Sequence, residues 1–124
     1  MARILIIEDN PTNMELMAYL LTAFGHTPLC AFDGEQGVAM ARADDPDLIL
    51  CDAHLPKLDG CGVVAVLKAD PQLRPIPVLV VTALAMLGDR ERLLAAGFDG
   101  YIAKPIEPEQ FVAQLEPFLA PGGD

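Results

Sequence analysis

The chain has no tryptophan, and Phe, Tyr and Trp together make up 6% of its 124 residues. Its interior must therefore be aliphatic, and with 52% hydrophobic residues there is ample material for one core. Positive charge is scarce: 8 Lys and Arg stand against 18 Asp and Glu, a net charge of −10. Nucleic acids and anionic membrane surfaces are bound by neutralising phosphates with Lys and Arg, so both are excluded as expected partners. No apolar stretch approaches the ~20 residues needed to span a bilayer. No signal peptide precedes Arg3, and the expected location is the cytoplasm. Three cysteines, an odd number without close pair spacing, fit free thiols in a reducing compartment. Internal repeats, low-complexity tracts and linkers are also missing. That leaves one domain over residues 1–120 and a short tail, Pro121-Gly122-Gly123-Asp124.

What the chain does have is a strict alternation. Apolar, β-rich runs occupy residues 3–7, 28–32, 47–51, 76–81 and 100–103. They are continuous rather than alternating in polarity, the mark of strands buried on both faces. Helical patterns fall between and after them, near residues 11–24, 34–43, 59–69, 85–96 and 107–119. Gly25 and Gly97 follow two of these helices, where a left-handed residue closes the last turn. Asp33 with Gln36 three residues on resembles a capping box. Pro46, Pro71, Pro75 and Pro77 fall in loops or at strand starts. Strands alternating with helices in this way predict an α/β domain, a parallel sheet wrapped by helices.

Polar residues cluster where the apolar runs stop. Glu8 and Asp9 end the first run, Asp52 the third, Thr82 the fourth, and Lys104 follows the fifth. In open α/β sheets the carboxyl ends of the strands face the ligand crevice. Three carboxylates brought together there repel unless a cation or a shared proton neutralises them. Their hard oxygens suit Mg²⁺. A metal, an ammonium and a hydroxyl around a free carboxylate are what phosphoryl transfer to that carboxylate requires. Singly, each residue has an ordinary reading: a turn-forming Asp, a β-branched filler Thr, a solvated loop Lys, or acids placed at a helix N-terminus. All five at strand ends of one sheet are not explained that way. Cys51, His54 and Cys61 make a poor zinc set, because strand alternation turns Cys51 away from the loop.

Glu8-Asp9-Asn10, Asp52-Ala53-His54-Leu55-Pro56-Lys57-Leu58-Asp59-Gly60, Val81-Thr82-Ala83 and Lys104-Pro105 together resemble the receiver domain of two-component response regulators. The resemblance covers essentially the whole chain. It implies a flavodoxin-like (βα)5 fold, doubly wound, with a five-stranded parallel sheet in the order 2-1-3-4-5. It implies further that Asp52 is the phosphoacceptor, taking a phosphoryl group from a phosphohistidine on a sensor histidine kinase or a histidine phosphotransfer protein. Asp9 and Asp52 would hold Mg²⁺ directly, Glu8 would act through water, and the His54 backbone carbonyl would complete the protein's share. Thr82 would bond a phosphoryl oxygen and Lys104 would pair with the phosphoryl group, aimed by a cis bond to Pro105. Within the family the likeness is to a single-domain cell-cycle regulator. It is carried by Val81-Thr82-Ala83-Leu84-Ala85-Met86, Gly88-Asp89-Arg90-Glu91-Arg92 and Tyr101-Ile102-Ala103-Lys104-Pro105-Ile106. The alternative is a receiver cut from a longer hybrid histidine kinase or multidomain regulator.

The resemblance also implies a switch and two binding faces. Thr82 moving toward the phosphoryl group would open a space into which the Tyr101 ring turns, a population shift read out by a downstream protein on helix four, strand five and helix five. His54, an uncommon side chain two residues past the acceptor, is expected to tune phosphoryl lifetime unless only its backbone matters. On the first helix, at about 100° per residue, Asn13, Leu16, Met17, Leu20, Leu21 and Phe24 share one face. Met14, Ala18 and Tyr19 fall outside that face and are the expected docking residues for the phosphodonor's helical bundle. The chain is expected to be a phosphoacceptor signalling module rather than an enzyme, a monomer or weak dimer, with output through protein contacts. Three rivals fit less well. A haloacid-dehalogenase-type phosphatase needs a second Asp where His54 stands. A flavin carrier's first loop must cradle a phosphate that Glu8-Asp9 would repel. A degenerate receiver scaffold should lack some of the five residues.

Overall fold

The computed structural model describes residues 2–83 and 88–119. Among these, five strands alternate with five helices: β1 (Arg3–Ile7), α1 (Pro11–Ala23), β2 (Thr27–Ala31), α2 (Gly34–Asp44), β3 (Leu48–Asp52), α3 (Gly60–Ala69), β4 (Val78–Thr82), α4 (Asp89–Ala95), β5 (Gly100–Ala103) and α5 (Pro108–Leu115). The sheet is wholly parallel in the order β2-β1-β3-β4-β5, the flavodoxin-like topology that the resemblance implies. The expected start of the fourth helix at residue 85, the stretch Leu84-Ala85-Met86 and the tail after residue 119 lie outside the described residues.

Burial explains the continuous runs. Every residue of β3 and β4 is buried, because helices cover both sheet faces. One aliphatic layer joins Leu5, Ile49, Val78 and Val80 to Val63, Val64, Leu67 and Leu93 of α3 and α4. The other joins Ile4, Ile6, Leu50 and Leu79 to α1 and to Phe111 and Leu115 of α5.

Strand ends shift slightly from expectation. β4 begins at Val78 because Pro77 has no N–H for the ladder, and its carbonyl instead accepts from the Ile49 N–H. β3 runs through Asp52, which pairs in register with Val81. β2 is an edge strand carrying Pro28. Its Thr27 N–H reaches Ala2 O, so by alternation the position of Pro28 faces away from β1.

The helix punctuation holds with one refinement. Gly25 and Gly97 both have positive φ, +86° and +124°. Asp33 Oδ1 caps α2 by accepting from Gln36 N at 2.7 Å, but Gln36 Oε1 accepts in return from the Phe32 N–H, one residue before the cap. The last helix ends earlier than the pattern proposes, at Leu115, and a 3₁₀ turn over Glu116–Phe118 follows.

The face of α1 needs correction. Its buried residues are Met14, Met17, Leu20 and Leu21, so Met14, 4% exposed, is core and not a docking residue. Met14, Met17 and Leu21 form the i, i+3, i+7 stripe. Phe24 is exposed because it caps the helix with φ −102° and ψ 16°, outside the helical geometry that would turn it inward. Of the remaining expected docking residues, Ala18 is half-buried and Tyr19 is 69% exposed.

Candidate functional site

β3 lies at the middle of the sheet, so its last residue, Asp52, has β1 on one side and β4 on the other. β1 delivers Glu8 and Asp9 just past its end, while β4 ends on Thr82. Beyond β4, Ala103 pairs with Thr82 in register and Lys104 follows it. Five residues that are far apart in sequence thus meet at one edge. One carboxylate oxygen from each of Glu8, Asp9 and Asp52 lies within 4.8 Å of the others. Glu8, Asp52 and Thr82 are the buried polar residues among those described, and Asp9 is exposed.

Each carboxylate is held from a different direction. Asp52 Oδ1 accepts from the His54 N–H at 3.1 Å, and Oδ2 accepts from Lys104 Nζ at 3.0 Å. Lys104 Nζ also lies 3.1 Å from Glu8 Oε1. Glu8 Oε2 accepts from the Asn10 N–H at 3.1 Å. Glu8 Oε1 is buried without a well-directed hydrogen bond, so its contact with Lys104 is one of charge alone. The Lys104–Pro105 peptide bond is cis, and Lys104 N–H donates to Thr82 O at 2.9 Å.

The electrostatics follow from this crowding. Burial, with the neighbouring Asp52 carboxylate, pushes Glu8 up to about 7, against the opposing pull of the Asn10 N–H and Lys104. Burial works to lower the Lys104 ammonium, but its bond to Asp52 and the charges of Asp52 and Glu8 outweigh that and hold it above its ordinary value. One cation shared by two buried acids, with a third acid alongside, leaves an excess of negative charge. A divalent cation fits this donor set: three hard carboxylates converge, and one buried oxygen still wants a partner.

The remaining expected residues sit around this centre. His54 has an exposed side chain, and its N–H is what bonds Asp52. Tyr101 pairs with Val80 in register, and Thr82 follows two residues after Val80, so Thr82 and Tyr101 share a sheet face. The Tyr101 ring is half-buried against the layer that holds Val80, and the Arg90 guanidinium carbon stands 6.0 Å from its centroid. Cys51 is buried in that same layer, and burial pushes its thiol up, so it is a packing residue.

Two supporting residues escape a reading by motif chemistry alone. Asn10 caps α1 through Asn13 N and fixes Glu8 through its own N–H. Gly60 lets α3 start against the end of β3: a Cβ there would lie 2.6 Å from Asp52 O and 2.9 Å from Ala53 Cα. The Asp59-Gly60 pair, a cap followed by the smallest residue, was the available signal.

A doubly wound parallel sheet with three acids and a lysine gathered at its central carboxyl edge places the chain among the α/β domains that carry their site at that edge. Residues 4–116 match the family model of the response regulator receiver domain, and the chain belongs to that family. Among characterised relatives it is 41% identical, over 116 residues, to the polar-differentiation response regulator DivK of Brucella ovis, covering 94% of each chain. The DivK of Brucella melitensis biotype 1 matches equally. Among solved structures, a putative response regulator from Chloroflexus aurantiacus superposes with a TM-score of 0.91 at 28% identity, covering 97% of this chain and 98% of that one. The receiver domain of the sensor histidine kinase PA1611 from Pseudomonas aeruginosa, with a magnesium ion in its active-site cleft, superposes with a TM-score of 0.89 at 34% identity, over 97% and 98%. No helix among the described residues is long and apolar enough to cross a membrane.

Proposed function

We propose that Asp52 accepts a phosphoryl group from a phosphohistidine on a sensor histidine kinase or histidine phosphotransfer protein. The convergence of Glu8, Asp9 and Asp52 on one point, with Lys104 already bonded to Asp52, carries this reading. In the step, an Asp52 oxygen forms a bond to phosphorus while the donor's P–N bond breaks and its electron pair returns to the imidazole. Asp52 is held on one oxygen by the His54 N–H and on the other by Lys104, so the acceptor is oriented before the donor arrives. Lys104 follows the transferred charge, and Thr82, at the neighbouring strand end, offers its hydroxyl to a phosphoryl oxygen. Asp9, Asp52 and the His54 carbonyl would hold Mg²⁺, with Glu8 acting through water. Bound there, Mg²⁺ would supply charge neutralisation for the phosphoryl oxygens.

The same reading makes the protein a cytoplasmic switch rather than a turnover enzyme. Movement of Thr82 toward the new charge frees space on the face it shares with Tyr101, and the ring turns into it. The surface of α4, β5 and α5 then presents a different shape to a protein target. His54, exposed beside the acceptor, sets how long the phosphoryl group survives. The 41% identity to DivK, itself a response regulator, supports a regulator of that kind.

Mg²⁺-dependent binding of beryllofluoride, or labelling by acetyl phosphate, tests the acceptor role. Wild type should respond and Asp52→Asn should not. A wild type that ignores both reagents overturns the proposal.

A further inference from the structure

One segment at the carboxyl edge is strained, and it is held from outside the site. Lys57 has φ +70°, and the Leu58 N–H donates to Pro56 O at 2.7 Å across it. A bond to the carbonyl two residues back, around a residue of positive φ, makes a γ-turn of the rare, strained kind. Strain of that sort persists only where the surroundings fix it. Here the surroundings are the start of α2. Gly34 is buried, and a Cβ on it would overlap the Leu58 carbonyl oxygen and lie 2.8 Å from Leu58 Cβ. The Gly34 N–H also points at Pro56 O, 3.5 Å away, and Asp33 Oδ2 stands 3.8 Å from Lys57 Nζ. On the other side the Leu58 side chain lies over Gly62 of α3, where a Cβ would be 2.6 Å from Leu58 Cδ1.

The held turn is tied closely to Asp52. His54 donates its N–H to Asp52 Oδ1, and only Leu55 and Pro56 separate His54 from Lys57. The proline ring fixes its own φ and confines the residue before it to extended backbone, so this link is stiff. A displacement of Pro56, Lys57 and Leu58 is therefore passed to His54 rather than absorbed. The ends of the loop are anchored separately, by the Ala53 N–H on Val81 O and the Gly60 N–H on Ala53 O. Its middle depends on α2, a helix that carries none of the five residues gathered around Asp52.

We infer that Gly34 is a positioning residue for phosphoryl transfer. By admitting the Leu58 carbonyl against the first turn of α2, it fixes the loop that brings the His54 N–H to Asp52. The transfer step rests on the acceptor role proposed for Asp52; the placing of the His54 N–H does not.

Two readouts test this, each taken well below the temperature at which any variant unfolds. One is the His54 amide of the metal-free protein, followed by NMR shift and hydrogen exchange; the other is the rate of labelling by acetyl phosphate with Mg²⁺. Gly34→Ala should shift the His54 amide and speed its exchange. It should slow labelling on the order of a hundredfold, the effect of a misplacement of about 1 Å. Gly100→Ala overpacks the opposite edge of the sheet, where a Cβ would lie 2.6 Å from Leu79 Cδ2 and 2.7 Å from Phe118 Cζ. It should leave both readouts within about twofold, as expected for a distant site. Lys57→Val disturbs the turn from an exposed position, because a β-branched residue resists positive φ. It should reproduce the Gly34→Ala pattern, whereas Lys57→Gly, which suits the turn, should behave as wild type. If Gly34→Ala does not fold, the two Lys57 variants decide. A wild-type His54 amide or wild-type labelling in Gly34→Ala or Lys57→Val overturns the inference, and so does equal loss in Gly100→Ala. A wild type that ignores acetyl phosphate, while its His54 amide still responds to Gly34→Ala, loses the acceptor role and keeps the placing of the loop.

Discussion

At the amino edge of the sheet, Lys68 Nζ donates to Arg74 O, Ile76 O and Asp99 Oδ2 at 2.9–3.1 Å, and Asp99 Oδ2 also accepts the Val78 N–H. At the carboxyl edge, Lys104 Nζ is divided between Glu8 and Asp52, with Asp9 beside them. Both are single lysines among acids and loop backbone. Lys68 faces one carboxylate and two carbonyls, so its charge is matched and its three donors are used. Lys104 faces more negative charge than it can balance. The first arrangement ties the α3–β4 and α4–β5 turns together and asks for nothing more. The second is completed only by further positive charge, or by a proton on Glu8.

Removing each lysine should expose the difference. Lys104→Met leaves two buried acids uncompensated and should cost about 3 kcal/mol above neutral pH. Urea unfolding should show a smaller loss at pH 5, where Glu8 takes up a proton, and beryllofluoride binding should fail at either pH. The next largest effect is on the pH dependence of the metal-free protein. Glu8 has its folded pKa raised to about 7 from 4.5, so the native state holds a proton that the unfolded chain releases. Its contribution is full below about pH 4.5 and is lost as pH rises through about 7. Glu8→Gln should flatten that part of the stability profile; an unchanged slope would show that another group sets it. Lys68→Met should cost about 1–2 kcal/mol, since its surroundings are partly solvated. It should leave beryllofluoride binding as in wild type, and altered binding would mean that the two edges are coupled. The smallest effect concerns Lys57, a non-glycine residue at φ +70° in the loop after Asp52. Lys57→Gly should relieve about 1 kcal/mol of backbone strain, partly offset by greater chain entropy when unfolded and by loss of the long Asp33 pair.

The strands and the convergence of polar residues at the carboxyl edge were legible because they are local signals. A continuous apolar run ending in an acid is visible in five residues, and topology then brings Glu8, Asp52, Thr82 and Lys104 together. The orientation of α1 was not. Met14, Leu16, Met17, Ala18, Tyr19, Leu20 and Leu21 surround that helix with apolar side chains, so periodicity barely distinguishes its faces, and packing against β1 and α5 decides. Nor could spacing reveal that Lys104 contacts both Glu8 and Asp52, or that Gly60 must lack a Cβ, because both depend on distances across the fold.

Pro28 on the edge strand β2 has a consequence for self-association. An open parallel sheet offers its outermost strand as a template for another chain's strand, and that template works through regularly spaced N–H donors. The proline removes one donor from the outward row of a five-residue strand, and only Cys30 remains to supply that row within it. Growth of the sheet by strand addition on that side is thereby discouraged. Copies of this chain that meet there must do so through side chains, which can part again.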